Sequence, residues 1–412
     1  SVVGLAAAGR PVVAGAVVGD RSRWGRRGVG RVGGRSRGVR HVVATVPFGA
    51  VRIRASEAAA AIDGRLVGPD TEFDGASFDS RDLVPGQLFV ALVAERDGHR
   101  YVPAAFESGA AVALVGHGAA VPPDIPADAA LVEVSDTAIG LARLAAWARQ
   151  EQLAATTVVG VTGSVGKTST KDLLHVALGA SRRVTVNPRS FNNDQGLPVT
   201  VLGTPADTQV LVLEMGMRGF GEITRLCDVA APHIGVVMAV GHSHTALVGG
   251  LDGVARAKSE LVRALPADGT AVLNADDPRV VAMAQLAAGR VITYGTATDA
   301  DVRIDDLELD ELARPQFRVA TPWGSHEVTL RVTGAHMASN AAAALAVTGA
   351  AGADVAMAAA ALTEAEVSAM RMDLRRAPSG AIVLNDAYNA NPTSTAAALD
   401  ALARMHAGRR IA

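Results

Sequence analysis

The residues best suited to chemistry lie between Thr157 and Asp172, in TVVGVTGSVGKTSTKD. Gly163, Ser164, Val165 and Gly166 form a short turn. It joins an apolar β-branched run (Val158, Val159, Val161) to a helix-compatible segment that opens with Lys167, Thr168 and Ser169. Strand, glycine turn and helix in this order make a phosphate-binding loop. Glycine lets the backbone approach a polyphosphate, whose charge then meets unsatisfied N–H groups and the positive end of the helix. Lys167 supplies a cation for the outer phosphates, and Thr168 a hydroxyl for Mg²⁺. Val161 stands where the longer G-x-x-x-x-G-K-[ST] spacing has its first glycine, so the shorter T-G-S-V-G-K-T form carries the expectation. The alternative is an ordinary strand-to-helix turn with a lysine in it.

Further polar groups fall at the ends of apolar runs. QVLVLEMG places Glu214 at the close of a buried strand, HIGVVMAVG leads into Gly241, His242, Ser243 and His244, and TAVLNADD ends in Asn274, Asp276 and Asp277. In an open parallel sheet, ligands collect at the carboxyl ends of the strands, beside the glycine loop. Glu214 there reads as a Walker-B-like metal acid, or else as a capping carboxylate. His244 reads equally as a metal ligand or as a structural histidine.

The elements that must position these groups follow an α/β rhythm. Hydrophobic residues make up 49% of the 412 and aromatics 3%, which suits layers built from small aliphatic side chains. Residues 51–152 read as a small α/β domain: a helix at ASEAAAAIDG, strands at GQLFVAL, AVALVG and ALVEVS, and an amphipathic helix at TAIGLARLAAWARQEQ. From about 153 to 375 strand and helix alternate, giving a mostly parallel sheet flanked by helices. Residues 302 to 333 read as a β-meander, followed by a helix at HMASNAAAALAVTGAAG. A new strand begins at 381, with a helix after it. No apolar run has the length of a membrane span. Cys227 is the single cysteine, which excludes an internal disulfide and points to a reducing cytoplasm.

Charge is uneven. Residues 1–40 hold nine Arg and one Asp, against a net charge of -2 for the whole chain. WGRRGVGRVGGRSRGVR is like an RGG tail, which could contact RNA or a membrane surface, but it has no periodicity that builds a core. Residues 1–50 are expected to be a disordered or non-native extension, with domain-like sequence from Val51 and no nucleic-acid partner.

Taken in order, SFDSR, GQLFVAL…DGH, TGSVGKTSTKD, FNNDQGLP, LEMG…GEI, ARAKSEL, LNADDP, HMASNAAAA and LNDAYNANPTST resemble the Mur ligases, ATP-dependent amide-forming enzymes of peptidoglycan precursor synthesis. Within them the chain is most similar to the MurF type, which joins D-alanyl-D-alanine to UDP-N-acetylmuramoyl-tripeptide. That resemblance implies ATP and two Mg²⁺ ions as cofactors, those two molecules as substrates, and a monomer. It implies that Lys167, Glu214, His244 and Lys258 are catalytic, and that Thr168, Glu214, His244 and Lys258 hold metal. Lys258 would be carbamylated; on residue pattern alone it reads as a solvated helix lysine. Gly163 to Ser169 with Asn340, Arg371 and Asp386 would bind the nucleotide. Ser80 and Arg81 would contact the UDP end of the substrate, although SFDSR alone reads as a solvated turn. Asn192 and Asn193 would contact its muramoyl-peptide part, and Tyr388, Asn389 and Asn391 are further substrate-binding candidates. Met337 stands where the family usually has Asn, and Ala246 where it usually has Glu. Residues 376–412 are expected to begin an incomplete, Rossmann-like C-terminal domain. Two other readings are therefore carried: a catalytically incomplete fragment that binds nucleotide and UDP-substrate, and another ATP-dependent ligase of the superfamily.

Overall fold

The computed structural model describes residues 50–242 and 245–412. The Arg/Gly-rich stretch up to residue 49 lies outside the described residues, and so do Ser243 and His244.

A nine-stranded sheet forms the centre. From one edge the order is Val184–Val186, Val210–Glu214, Thr157–Thr162, Ile234–Val237, Thr270–Asn274, Arg290–Gly295, Val302–Leu309, Pro315–Thr321 and Gly324–Thr329. The first seven run parallel, and the last two add an antiparallel meander. Strands covered on both faces need apolar side chains throughout, which is why Val158, Val159, Val161 and Val210 to Leu213 are all buried. Helices Lys167–Gly179 and His336–Ala350 cover one face, and Glu222–Ala230 and Leu251–Arg263 the other. His336–Ala350 is buried nearly all round. Its alanines at 341 to 344 let it lie close to both the sheet and the phosphate-loop helix.

The first unit has a five-stranded sheet in the order Arg65–Val67, Ala130–Val134, Val112–Gly116, Leu88–Val90 and Ala76–Ser77, parallel except for its first pair. Helix Thr137–Glu151 begins where the Asp136 side chain accepts from the N–H groups of Ala138 and Ile139. Leu141, Leu144, Ala145 and Ala148 then form its buried stripe. This helix packs on Gly196–Leu202 and Glu222–Ala230, so one apolar core runs from Val51 to Leu261 across position 152. Its Arg149 is 4% exposed and donates to the carbonyls of Ala230, Leu153 and Thr156 at 3.1, 2.7 and 3.3 Å.

The last elements are an antiparallel hairpin, Asp373–Arg376 with Ile382–Asn385, and helix Pro392–Arg404. The hairpin straddles position 375; its first strand, DLRR, is too polar to read as a strand from pattern. Leu384, Leu402 and Met405 join the central core. Among the described residues no helix is long and apolar enough to cross a membrane.

Candidate active site

Strand Thr157–Thr162 runs directly into the glycine loop, and helix Lys167–Gly179 runs out of it. Gly166 has φ 84°, and a Cβ there would come within 2.9 Å of the Asn340 Oδ1 atom, so only glycine lets the loop turn beneath Asn340. The N–H groups of Lys167, Thr168 and Ser169 precede the first intrahelical bond, and all three residues line the cleft. The Lys167 ammonium folds back to donate to the Gly163 carbonyl at 2.8 Å. Ser164 is tied into the fold instead. Its hydroxyl donates to the Gly241 carbonyl at 3.1 Å and accepts the Gly241 N–H at 2.9 Å, which fixes the loop against the segment leading to His244.

Glu214 lies on the adjacent strand, in register with Val161. It is 2% exposed; Oε2 accepts from the Thr168 hydroxyl at 2.7 Å and Oε1 from the Asn192 amide at 2.8 Å. Lys258, on helix Leu251–Arg263, lines the same cleft, 4% exposed and with no hydrogen-bond or ion-pair partner among the described residues. Burial, with the nearby Lys167 charge adding to it, holds the Lys258 amine well below the ordinary lysine range. Burial also lowers Lys167; Glu214 opposes that shift and Arg371 adds to it.

The opposite wall comes from the last elements. The Arg371 guanidinium stacks over the Tyr388 ring at 4.2 Å, and the Tyr388 hydroxyl lies 2.5 Å from that of Ser190. Asp386 accepts the Met372 N–H at 3.0 Å, and burial raises its carboxyl above the usual range. Between the walls lies a cleft of about 770 Å³. It brings together Gly163 to Ser169, Asn192, Asn193, Glu214, Lys258, Asn340, Arg371, Asp386, Tyr388, Asn389 and Asn391.

Some of these side chains also have structural work. The Asn391 oxygen caps helix Pro392–Arg404, accepting the Ser394 N–H at 2.9 Å. The Asn193 oxygen likewise accepts the Gly196 N–H at 2.9 Å. Ser80 and Arg81 lie outside the cleft lining, on the turn after strand Ala76–Ser77. There Arg81 grips Asp79 through two bonds of 2.8 and 2.6 Å. That turn abuts the cleft's edge, because Phe78 packs on Phe191 at 5.9 Å and Arg189 lies 3.6 Å from Asp82. Ser190, Asp194, Arg218 and Thr393 also line the cleft and escaped the sequence reading. Asn274, at a strand's carboxyl end, carried a positional signal; the others lie in loops or at a helix start.

The fold and its loop define an α/β protein of the phosphate-loop class. A family model described as the Mur ligase middle domain matches residues 161–348. The UDP-N-acetylmuramoyl-tripeptide–D-alanyl-D-alanine ligase of Mycobacterium bovis is 44% identical over 342 residues, covering 79% of this chain and 67% of the relative. The crystal structure of MurF from Acinetobacter baumannii superposes with a TM-score of 0.78 at 30% identity, over 87% of this chain and 78% of that one. MurF ligase from Thermotoga maritima in complex with ADP gives 0.69 at 26% identity, over 80% and 75%. The chain belongs to the Mur ligase family, in its MurF branch.

Proposed function

We propose that the chain is an ATP-dependent amide ligase of peptidoglycan precursor synthesis. It joins D-alanyl-D-alanine to UDP-N-acetylmuramoyl-tripeptide through an acyl phosphate and releases ADP and phosphate. The observation that carries this reading is that Lys167, Thr168, Glu214 and Lys258 line a single cleft, with Thr168 bonded to Glu214 and the Lys258 amine near the Lys167 charge. The names of the relatives supply the reaction.

A carboxylate is a poor electrophile, so its oxygen must first become a leaving group. The loop N–H groups and Lys167 hold the phosphates in line with the peptide carboxylate, and alignment of three substrates is most of the protein's task. The residues fit Mg²⁺: Glu214 is a buried anion whose oxygens meet the neutral donors Thr168 and Asn192, which leaves its charge available to a cation. Thr168 and Glu214 would hold one ion, and His244 with Lys258 as its carbamate a second. Bound there, Mg²⁺ draws charge from the phosphoryl oxygens. Burial keeps the Lys258 amine toward its neutral form, the form able to add CO₂. Asn340 and Asp386 hold adenine and ribose, with Arg371 beside them. Ser80 and Arg81 hold the UDP end, and Asn192, Asn193, Tyr388, Asn389 and Asn391 the peptide side. Dependence on ATP fits a cytoplasmic setting.

The test is mass spectrometry of the product. The chain given ATP, Mg²⁺, UDP-N-acetylmuramoyl-tripeptide and D-alanyl-D-alanine is expected to yield the UDP-linked pentapeptide. Pentapeptide absent from a folded, ADP-binding sample would favour the nucleotide- and UDP-substrate-binding fragment instead.

A further inference from the structure

Lys171 stands one turn beyond Lys167 in the phosphate-loop helix, 3% exposed and outside the cleft lining. Its ammonium donates to the carbonyls of Asn187 and Arg189 at 3.1 and 3.3 Å and lies 3.4 Å from the Asp172 carboxylate. Both carbonyls belong to the segment that becomes the cleft's edge. Asn187, fully buried, accepts the Glu214 N–H on its side-chain oxygen at 2.8 Å. Arg189 has φ 49°, a conformation a non-glycine residue keeps where its surroundings hold it. The chain then delivers Ser190 to Tyr388 and Asn192 to Glu214.

Asp172 reaches the other way. Its second oxygen accepts from both the N–H and the hydroxyl of Ser368, each at 2.7 Å. Ser368 leads into Met370 and Met372, whose φ angles of 62° and 54° flank Arg371. Two adjacent, oppositely charged side chains on one helix thus grip the segments that carry Asn192 and Arg371, both of which line the cleft.

We propose that Lys171 and Asp172 are positioning residues for the ligase reaction: together they set the distance between the Asn192 and Arg371 walls above the phosphate loop. A buried lysine so placed neutralises Asp172 and satisfies two loop carbonyls, so losing its charge frees both neighbours at once. The kinetic part of this proposal rests on the ligase reading above; the backbone part does not.

The experiment compares Lys171→Met, Lys171→Arg and Asp172→Asn by hydrogen–deuterium exchange without ligand, and by steady-state kinetics. Lys171→Met is expected to speed exchange about tenfold in the 187–193 segment, and Asp172→Asn in the 366–372 segment, while strand Val112–Gly116 keeps its protection. Lys171→Met should lower kcat about 30-fold and leave KM for ATP within about threefold, with Lys171→Arg recovering part of the loss. Wild-type exchange in both segments of folded variants, or exchange raised evenly across the molecule, would overturn the proposal. So would unchanged kcat in Lys171→Met. A wild-type chain that makes no product would instead remove the ligase reading and leave the exchange result to decide the clamp.

Discussion

The Thr168 hydroxyl donates to Glu214 across 2.7 Å and so joins the first turn of the phosphate-loop helix to the end of the neighbouring strand. Two groups far apart in sequence become one hydrogen-bonded pair because strands Thr157–Thr162 and Val210–Glu214 are parallel and adjacent. Glu214→Gln keeps the shape and removes the anion. It is expected to lower kcat at least about 100-fold and to make ADP affinity insensitive to Mg²⁺. Calorimetric titration of ADP with and without Mg²⁺ checks the second effect; an undiminished Mg²⁺ dependence would place the metal elsewhere.

Arg149 holds the first unit to the central sheet through three backbone carbonyls while almost wholly buried. Arg149→Met removes the side-chain donor from the Ala230 and Thr156 carbonyls, while the Leu153 carbonyl keeps the Thr156 N–H, and should cost roughly 2–4 kcal/mol in urea unfolding. A loss below about 0.5 kcal/mol would mean that water replaces the guanidinium at no cost.

His233 accepts the Val158 N–H on Nδ1 at 3.0 Å, and burial, helped by the Arg149 charge, lowers its pKa from 6.5. A base whose folded pKa is depressed binds fewer protons folded than unfolded. Its contribution to stability is therefore present above about pH 6.5 and is lost as pH falls below it. His233→Asn, which retains an acceptor, should show a shallower fall in urea midpoint between about pH 7.5 and 5.5. Equal slopes in the two proteins would remove His233 from the acid response.

Cys227 sits in the core with its thiol 3.9 Å from the Met215 sulfur, and burial, with Asp228 and Glu260 nearby, pushes its pKa up to about 12. The folded chain should resist a thiol reagent at about pH 8 and react fully in guanidinium. Rapid labelling of the folded protein would contradict that burial.

The phosphate loop was legible because strand, glycine turn, Lys167 and Thr168 are contiguous and each does a local job. Glu214 was legible by position, at the carboxyl end of an apolar strand. Lys258 was not: in ARAKSEL it looks solvated, and its burial comes from packing helix Leu251–Arg263 over the sheet. Lys171 carries no signal in the sequence, because its acceptors come from a segment that folds back over it. The sequence pattern around Asn391 points to a substrate contact, and what the structure gives its side-chain oxygen is the cap of helix Pro392–Arg404.

Phosphate release from ATP tests the account's central claim most directly. With UDP-N-acetylmuramoyl-tripeptide present, release is expected to depend on D-alanyl-D-alanine and to vanish in Lys167→Ala, while UDP-substrate affinity changes little. Release that ignores the dipeptide, or that survives Lys167→Ala, would contradict the assignment of this cleft as the site of amide ligation.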